Sequence, residues 1–109
     1  MLGGEDEGPT PTELMVAGLA ACAADEAMKR LTEAGMAYQQ LAVEADFAWD
    51  LKSERVASVR LSVTLPSGLS EAGREIVRAA MLTCPARKML EQPPHVECDF
   101  NKPACPRNS

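Results

Sequence analysis

Two cysteines in unlike settings carry most of the chemistry this chain offers. Cys22 closes an apolar run, Leu14-Met15-Val16-Ala17-Gly18-Leu19-Ala20-Ala21-Cys22. Cys84 stands in Thr83-Cys84-Pro85, with Arg87 and Lys88 close behind. Pro85 at the first position of a helix makes Cys84 its N-cap, at the positive end, and Arg87 and Lys88 add charge within a turn. All three features favour thiolate over thiol at Cys84, against the plainer reading of a structural cysteine capping a helix. Cys22 differs. A free cysteine on an apolar helix is most often a small buried hydrophobe, and Asp25 and Glu26, one turn on, oppose a thiolate there. Local electrostatics therefore favour Cys84 as the reactive thiol.

Glu13 is the third residue of interest. In Thr10-Pro11-Thr12-Glu13 it completes a capping box, with Thr10 as N-cap and Pro11 at N1. On one straight helix its nine-residue separation from Cys22 is about 13 Å of rise and half a turn out of phase. The two share a site only if the helix breaks near Gly18, or if Glu13 of one chain approaches Cys22 of another.

Other chemistries are poorly supported. The four cysteines, Cys22, Cys84, Cys98 and Cys105, show no CxxC pair and no Cys/His ligand spacing, so no metal site is expected. His95, the only histidine, reads as a surface or packing residue. A net charge of −5 repels phosphate backbones, which argues against nucleic acid and, more weakly, against anionic membranes. Leu19-Ala20-Ala21-Cys22 looks like a lipoprotein cleavage box, but Gly4-Glu5-Asp6-Glu7 precedes it where a secretion signal carries positive charge. The apolar stretch from Leu14 to Ala24 is too short to span a bilayer. The expected compartment is the cytoplasm, where thiols stay reduced unless catalytic.

The elements that must position these residues make one domain in 109 residues. Residues 1–9 read as an acidic, Gly-rich linker, residues 10–100 as the domain, and residues 101–109 as a loose tail. A helix runs from Pro11 to about Ala34, with Gly35 as its stop. Its first half is apolar nearly all round and should be buried on several sides, within the domain or against a second chain; its second half is amphipathic and should be more exposed. Leu41, Val43, Ala45, Phe47 and Trp49 alternate with polar residues, as do Val59, Leu61, Val63 and Leu65, the period of half-buried strands joined by a hairpin at Lys52 to Arg55. Ser70 caps a helix from Glu71 to about Thr83, with Ile76, Val77, Ala80 and Met81 inward. Pro85 starts a short helix to Leu90, and after Pro93-Pro94 the stretch from His95 to Phe100 reads as an edge strand. The order is α-β-β-α-α-β, an α+β domain with helices on one face of an antiparallel sheet.

Gly3-Gly4-Glu5-Asp6-Glu7-Gly8-Pro9-Thr10-Pro11-Thr12-Glu13-Leu14, then Ala20-Ala21-Cys22, Gly68-Leu69-Ser70-Glu71 and Cys84-Pro85, resemble the OsmC/Ohr family over nearly the whole chain. The resemblance implies a thiol-dependent peroxidase that reduces organic hydroperoxides without metal or organic cofactor, in oxidative-stress defence. It implies that Cys22 attacks the peroxide, that Cys84 then forms a disulfide with it, that a dithiol reductant resets the pair, and that Glu13 is the acidic partner. In the organic-hydroperoxide branch the acid directly follows the proline, where this chain has Thr12, so the match is closer to general OsmC-like proteins. The family forms interlocked homodimers with sites at the subunit interface, and the expected homodimer buries Leu14, Val16, Ala17, Leu19 and Ala21. Members carry an N-terminal sheet that supplies an arginine to the peroxide. This sequence starts at the linker, as a truncated start or a reduced member would, and Arg60 and Arg87 are the remaining substitutes. The alternative function is a catalytically impaired OsmC-like dimerisation or small-molecule-binding module.

Overall fold

Thr10 opens the first element. Its Oγ1 accepts the Glu13 N–H at 3.1 Å, and Glu13 Oε1 accepts the Thr10 N–H at 2.9 Å. This reciprocal box, with Pro11 at N1, starts α1, Pro11–Glu33, which runs unbroken past Gly18. Gly35 ends it at φ +74°, a conformation glycine adopts without strain. The Gly35 N–H then donates to Thr32 O at 3.0 Å and the Met36 N–H to Leu31 O at 2.8 Å, which satisfies the last carbonyls of the helix.

The computed structural model describes residues 8–101. The linker before Gly8 and the tail beyond Asn101, with Cys105, lie outside the described residues.

β1, Ala42–Asp50, and β2, Arg55–Thr64, pair antiparallel from Ala42↔Thr64 to Asp50↔Arg55. The register passes from Ala48↔Ser58 to Trp49↔Val56, leaving Ala57 as an extra residue. That bulge breaks the expected alternation, and Trp49 beside it is half exposed. Ser70 Oγ accepts the Gly73 N–H at 3.1 Å and caps α2, Glu71–Thr83. Cys84 separates α2 from α3, Pro85–Glu91. The helices lie on one face of the hairpin, whose inner residues Val43, Val59, Leu61 and Val63 are only half covered.

The core is the seam between α1 and α2. Ala23, Ala27 and Leu31 pack with Val77, Ala80 and Met81, and Cys84 lies in the same cluster. Ile76, expected inside, is half-buried.

Two expectations are corrected. The second half of α1, expected to be the more exposed, is the half buried within this chain. Val16 and Leu19 are covered, but Leu14, Ala17 and Ala21 are open, while the second half holds fully buried residues. The seam with α2 is built from Ala23, Ala27 and Leu31, which lie in the second half. The stretch from His95 to Phe100 forms no strand, so the described order is α-β-β-α-α. A strand needs a partner ladder, and among the described residues β1 and β2 pair only with each other.

Candidate active site

Cys22 lies mid-way along α1, half-buried against the cluster that contains Cys84. The Ala86 N–H donates to Cys22 Sγ at 3.4 Å. Ala86 is the second residue of α3, so its N–H is one of the donors a helix start leaves without an internal partner. A backbone donor at a helix N-terminus suits a sulfur that carries negative charge.

Cys84 is the N-cap of α3, as expected, but its side chain makes no capping hydrogen bond and it is fully buried. The helix start that local sequence assigns to Cys84 therefore serves Cys22. The charges are redirected too. Arg87 Nε pairs with Glu91 Oε2 at 2.9 Å along its own helix, and Lys88 is exposed. Of the acids expected to oppose Cys22, Glu26 is bound to Arg30 Nε at 2.9 Å and Asp25 points to solvent. Cys22, Cys84 and the exposed Cys98 are free thiols.

Glu13 is not brought to this pair within one chain. Its carboxylate is engaged by Thr10 at the start of an unbroken helix. It lines a groove of about 770 Å³ on the sheet side of α1, beside Glu44 and Asp46, that contains no cysteine. Arg60 faces Asp46 across the hairpin, away from the thiols. His95 is exposed, with Nε2 3.2 Å from Glu97 Oε2.

A second groove, about 430 Å³, lies between the first half of α1, β2 and α3. Met15, Leu19, Val56, Val59, Met89 and Leu90 give it an apolar lining. Gly18 and Ala86 also border it. Ala86 is the donor to the Cys22 sulfur, so apolar space and thiol meet at one residue.

The OsmC family profile, described as OsmC-like protein, matches residues 4–99. The chain belongs to the OsmC-like family. Solved structures agree in fold. An osmotic stress induced and detoxification response protein from Psychrobacter arcticus 273-4 superposes with a TM-score of 0.71 at 23% identity, over 77% of this chain and 61% of the other. The OsmC like protein from Mycoplasma pneumoniae gives 0.68 at 20% identity, over 78% and 64%. The organic hydroperoxide resistance protein OhrB of Bacillus subtilis gives 0.61 at 23%, over 81% and 67%. At such identities the likeness shows the OsmC-like fold. This chain spans 61% and 64% of the length of the first two. No curated protein matches it. Among the described residues no helix of this OsmC-like chain is long and apolar enough to cross a membrane.

Two features of the site are absent from the sequence reading. The Ala86 contact joins residues 64 apart, so only the Pro85 helix start hinted at a free donor. Arg30 also reaches across to Thr83, beside Cys84; its spacing from Glu26 was visible, its second partner was not.

Proposed function

We propose that this OsmC-like chain is a thiol-dependent peroxidase that reduces organic hydroperoxides, with Cys22 as the attacking and Cys84 as the resolving thiol. The observation that carries the reading is the Ala86 N–H on Cys22 Sγ at 3.4 Å, since Ala86 also borders an apolar groove. An alkyl chain fits that lining better than water or hydrogen peroxide does. Membership of the family, and a fold shared with an organic hydroperoxide resistance protein, support the same class of substrate.

The steps balance as follows. The Cys22 thiolate attacks the terminal peroxide oxygen, the O–O bond breaks, and the alkoxide takes a proton to leave as an alcohol. Cys22 becomes a sulfenic acid. The Cys84 sulfur then attacks Cys22 Sγ, hydroxide leaves, and with the Cys84 proton it forms water. A dithiol reductant opens the resulting disulfide by thiol exchange. The Cys84 thiol is buried, so it is shielded from solvent oxidants until Cys22 has reacted.

A homodimer completes the proposal. The radius of gyration is 17.8 Å, against about 13 Å for a compact domain of this length. Leu14, Ala17 and Ala21 make one open stripe along α1, the surface a second copy would cover. Because α1 is unbroken, Glu13 joins a Cys22 site only as the partner copy's residue. The cytoplasm is the compartment that keeps both thiols reduced between turnovers.

Consumption of cumene hydroperoxide with dithiothreitol tests this. Wild type should turn over; Cys22→Ser should be inactive; Cys84→Ser should hold a sulfenic acid on Cys22 that dimedone traps. Equal rates in all three would leave the chain as the binding or dimerisation module.

A further inference from the structure

We propose that Arg30 is a positioning residue that sets how Cys84 faces Cys22. The inference rests on the two-thiol reading and deepens it. Arg30 Nη2 donates to Thr83 Oγ1 at 2.8 Å, while Arg30 Nε donates to Glu26 Oε2 at 2.9 Å. The Thr83 hydroxyl spends its own proton on the Ala79 carbonyl at 2.7 Å, which leaves its lone pairs for the guanidinium. The tie therefore runs from α1, about two turns beyond Cys22, to the last residue of α2, immediately before Cys84.

The apolar seam, with Leu31, Val77 and Met81 as its larger members, is smooth elsewhere. It is built at its centre from Ala23, Ala27 and Ala80, all fully buried. Methyl side chains make shallow ridges, so one helix can slide along the other with little loss of contact. A hydrogen bond weakens steeply with distance and angle. The planar guanidinium sends two N–H groups in fixed directions, one to each helix, and so specifies a register that the alanines leave loose. A disulfide needs its sulfurs at one distance and one dihedral. A small slide of α2 along α1 therefore changes how readily Cys22 and Cys84 close.

The test needs no hydroperoxide. In a background with Cys98 and Cys105 changed to Ser, the Cys22–Cys84 pair is equilibrated with cyclic oxidised and reduced dithiothreitol. The two thiols give their hydrogens to the oxidised reagent as the protein S–S bond forms. Alkylation and mass spectrometry read the disulfide fraction. Arg30→Gln and Thr83→Val should each lower the closure constant about tenfold, or about 30 mV, and Thr83→Ser should stay within twofold of wild type. Constants in Arg30→Gln and Thr83→Val that are unchanged or raised would overturn the inference, as would a wild-type pair that stays reduced throughout. Should Arg30→Gln fail to fold, Thr83→Val decides alone, since that position is exposed and the change preserves shape. A wild type inert to peroxide ends the peroxidase reading but leaves this measurement valid.

Discussion

The two halves of α1 are built from similar residues and covered in different ways. Beyond Leu19 the helix turns Ala23, Ala27 and Leu31 into α2, each with no exposure. Before it, Leu14 is 39% and Met15 69% exposed. The buried half is held by contact with a distant segment. The open half buries only Val16, Leu19 and Ala20, and its start is held locally by the capping box of Thr10 and Glu13. Cys22 sits where the two regimes meet, which explains its divided character. It packs on the core cluster that contains Cys84, and it accepts the N–H of Ala86, which borders the apolar groove. An attacking thiol needs both: a fixed donor on the sulfur, and open apolar space for the substrate.

The sharpest test of that contrast is truncation. Leu31→Ala should destabilise the fold by about 2–5 kcal/mol, since its neighbours in the seam cannot close the cavity. Met15→Ala should fall within about 0.5 kcal/mol of wild type. Urea unfolding of both variants checks this. Comparable losses would show that the open half is as well covered as the seam, and the covering would have to be a second copy.

Two glycines repeat the comparison on a finer scale. A Cβ on Gly73 would lie 2.5 Å from Leu69 Cδ1 and 3.2 Å from Met36 Sδ, so something must move. Overpacking of this kind costs about 1–3 kcal/mol, more than alanine returns in helix propensity. A Cβ on Gly18 meets open space. There Gly18→Ala should stabilise α1 by about 0.5–1 kcal/mol. Thermal melts, with light scattering at the same concentrations, decide the case. A mass near 11.7 kDa would remove the homodimer. A dimer that loses stability in Gly18→Ala would place the partner's backbone against that glycine.

The same division between local and distant contacts governs what was legible in the sequence. The capping box, the Gly35 stop, the Ser70 cap and the Pro85 restart were all readable, because each is satisfied within five residues. Strand alternation held until the bulge at Ala57, where the extra residue has no mark in the pattern. His95 to Phe100 alternates as a strand should, yet alternation does not name a ladder partner. The charge argument at Cys84 was sound about the helix start and silent about direction. Only the packing of α3 on α1 reveals that the Ala86 N–H faces Cys22. Burial of the first half of α1 was inferred from apolarity, which states that cover is favourable and not which chain supplies it.

The smallest effect should come from the hairpin turn, which is held by local hydrogen bonds alone. Asp50 Oδ2 accepts the Ser53 hydroxyl at 2.6 Å, and Oδ1 accepts the Lys52 N–H at 3.1 Å. Glu54, at φ +55°, donates its N–H to the Asp50 carbonyl at 2.8 Å and closes the turn. The Ser53 hydroxyl first, and the Lys52 N–H second, hold the Asp50 carboxyl below its ordinary value of 3.8. A folded-state pKa below the unfolded one stabilises the fold above the unfolded value, and that gain is lost as pH falls through the folded value. Wild type should therefore melt slightly above Asp50→Asn at pH 6, and the gap should narrow as pH falls through the folded value, which lies below 3.8. The other acids are common to both proteins and cancel in the difference. Ser53→Ala should remove most of the pH dependence of that gap, because it deletes the leading cause. A difference in melting temperature that stays constant from pH 6 to pH 2 would show that the turn is held by its backbone bond and left-handed residue, with the carboxylate charge adding nothing.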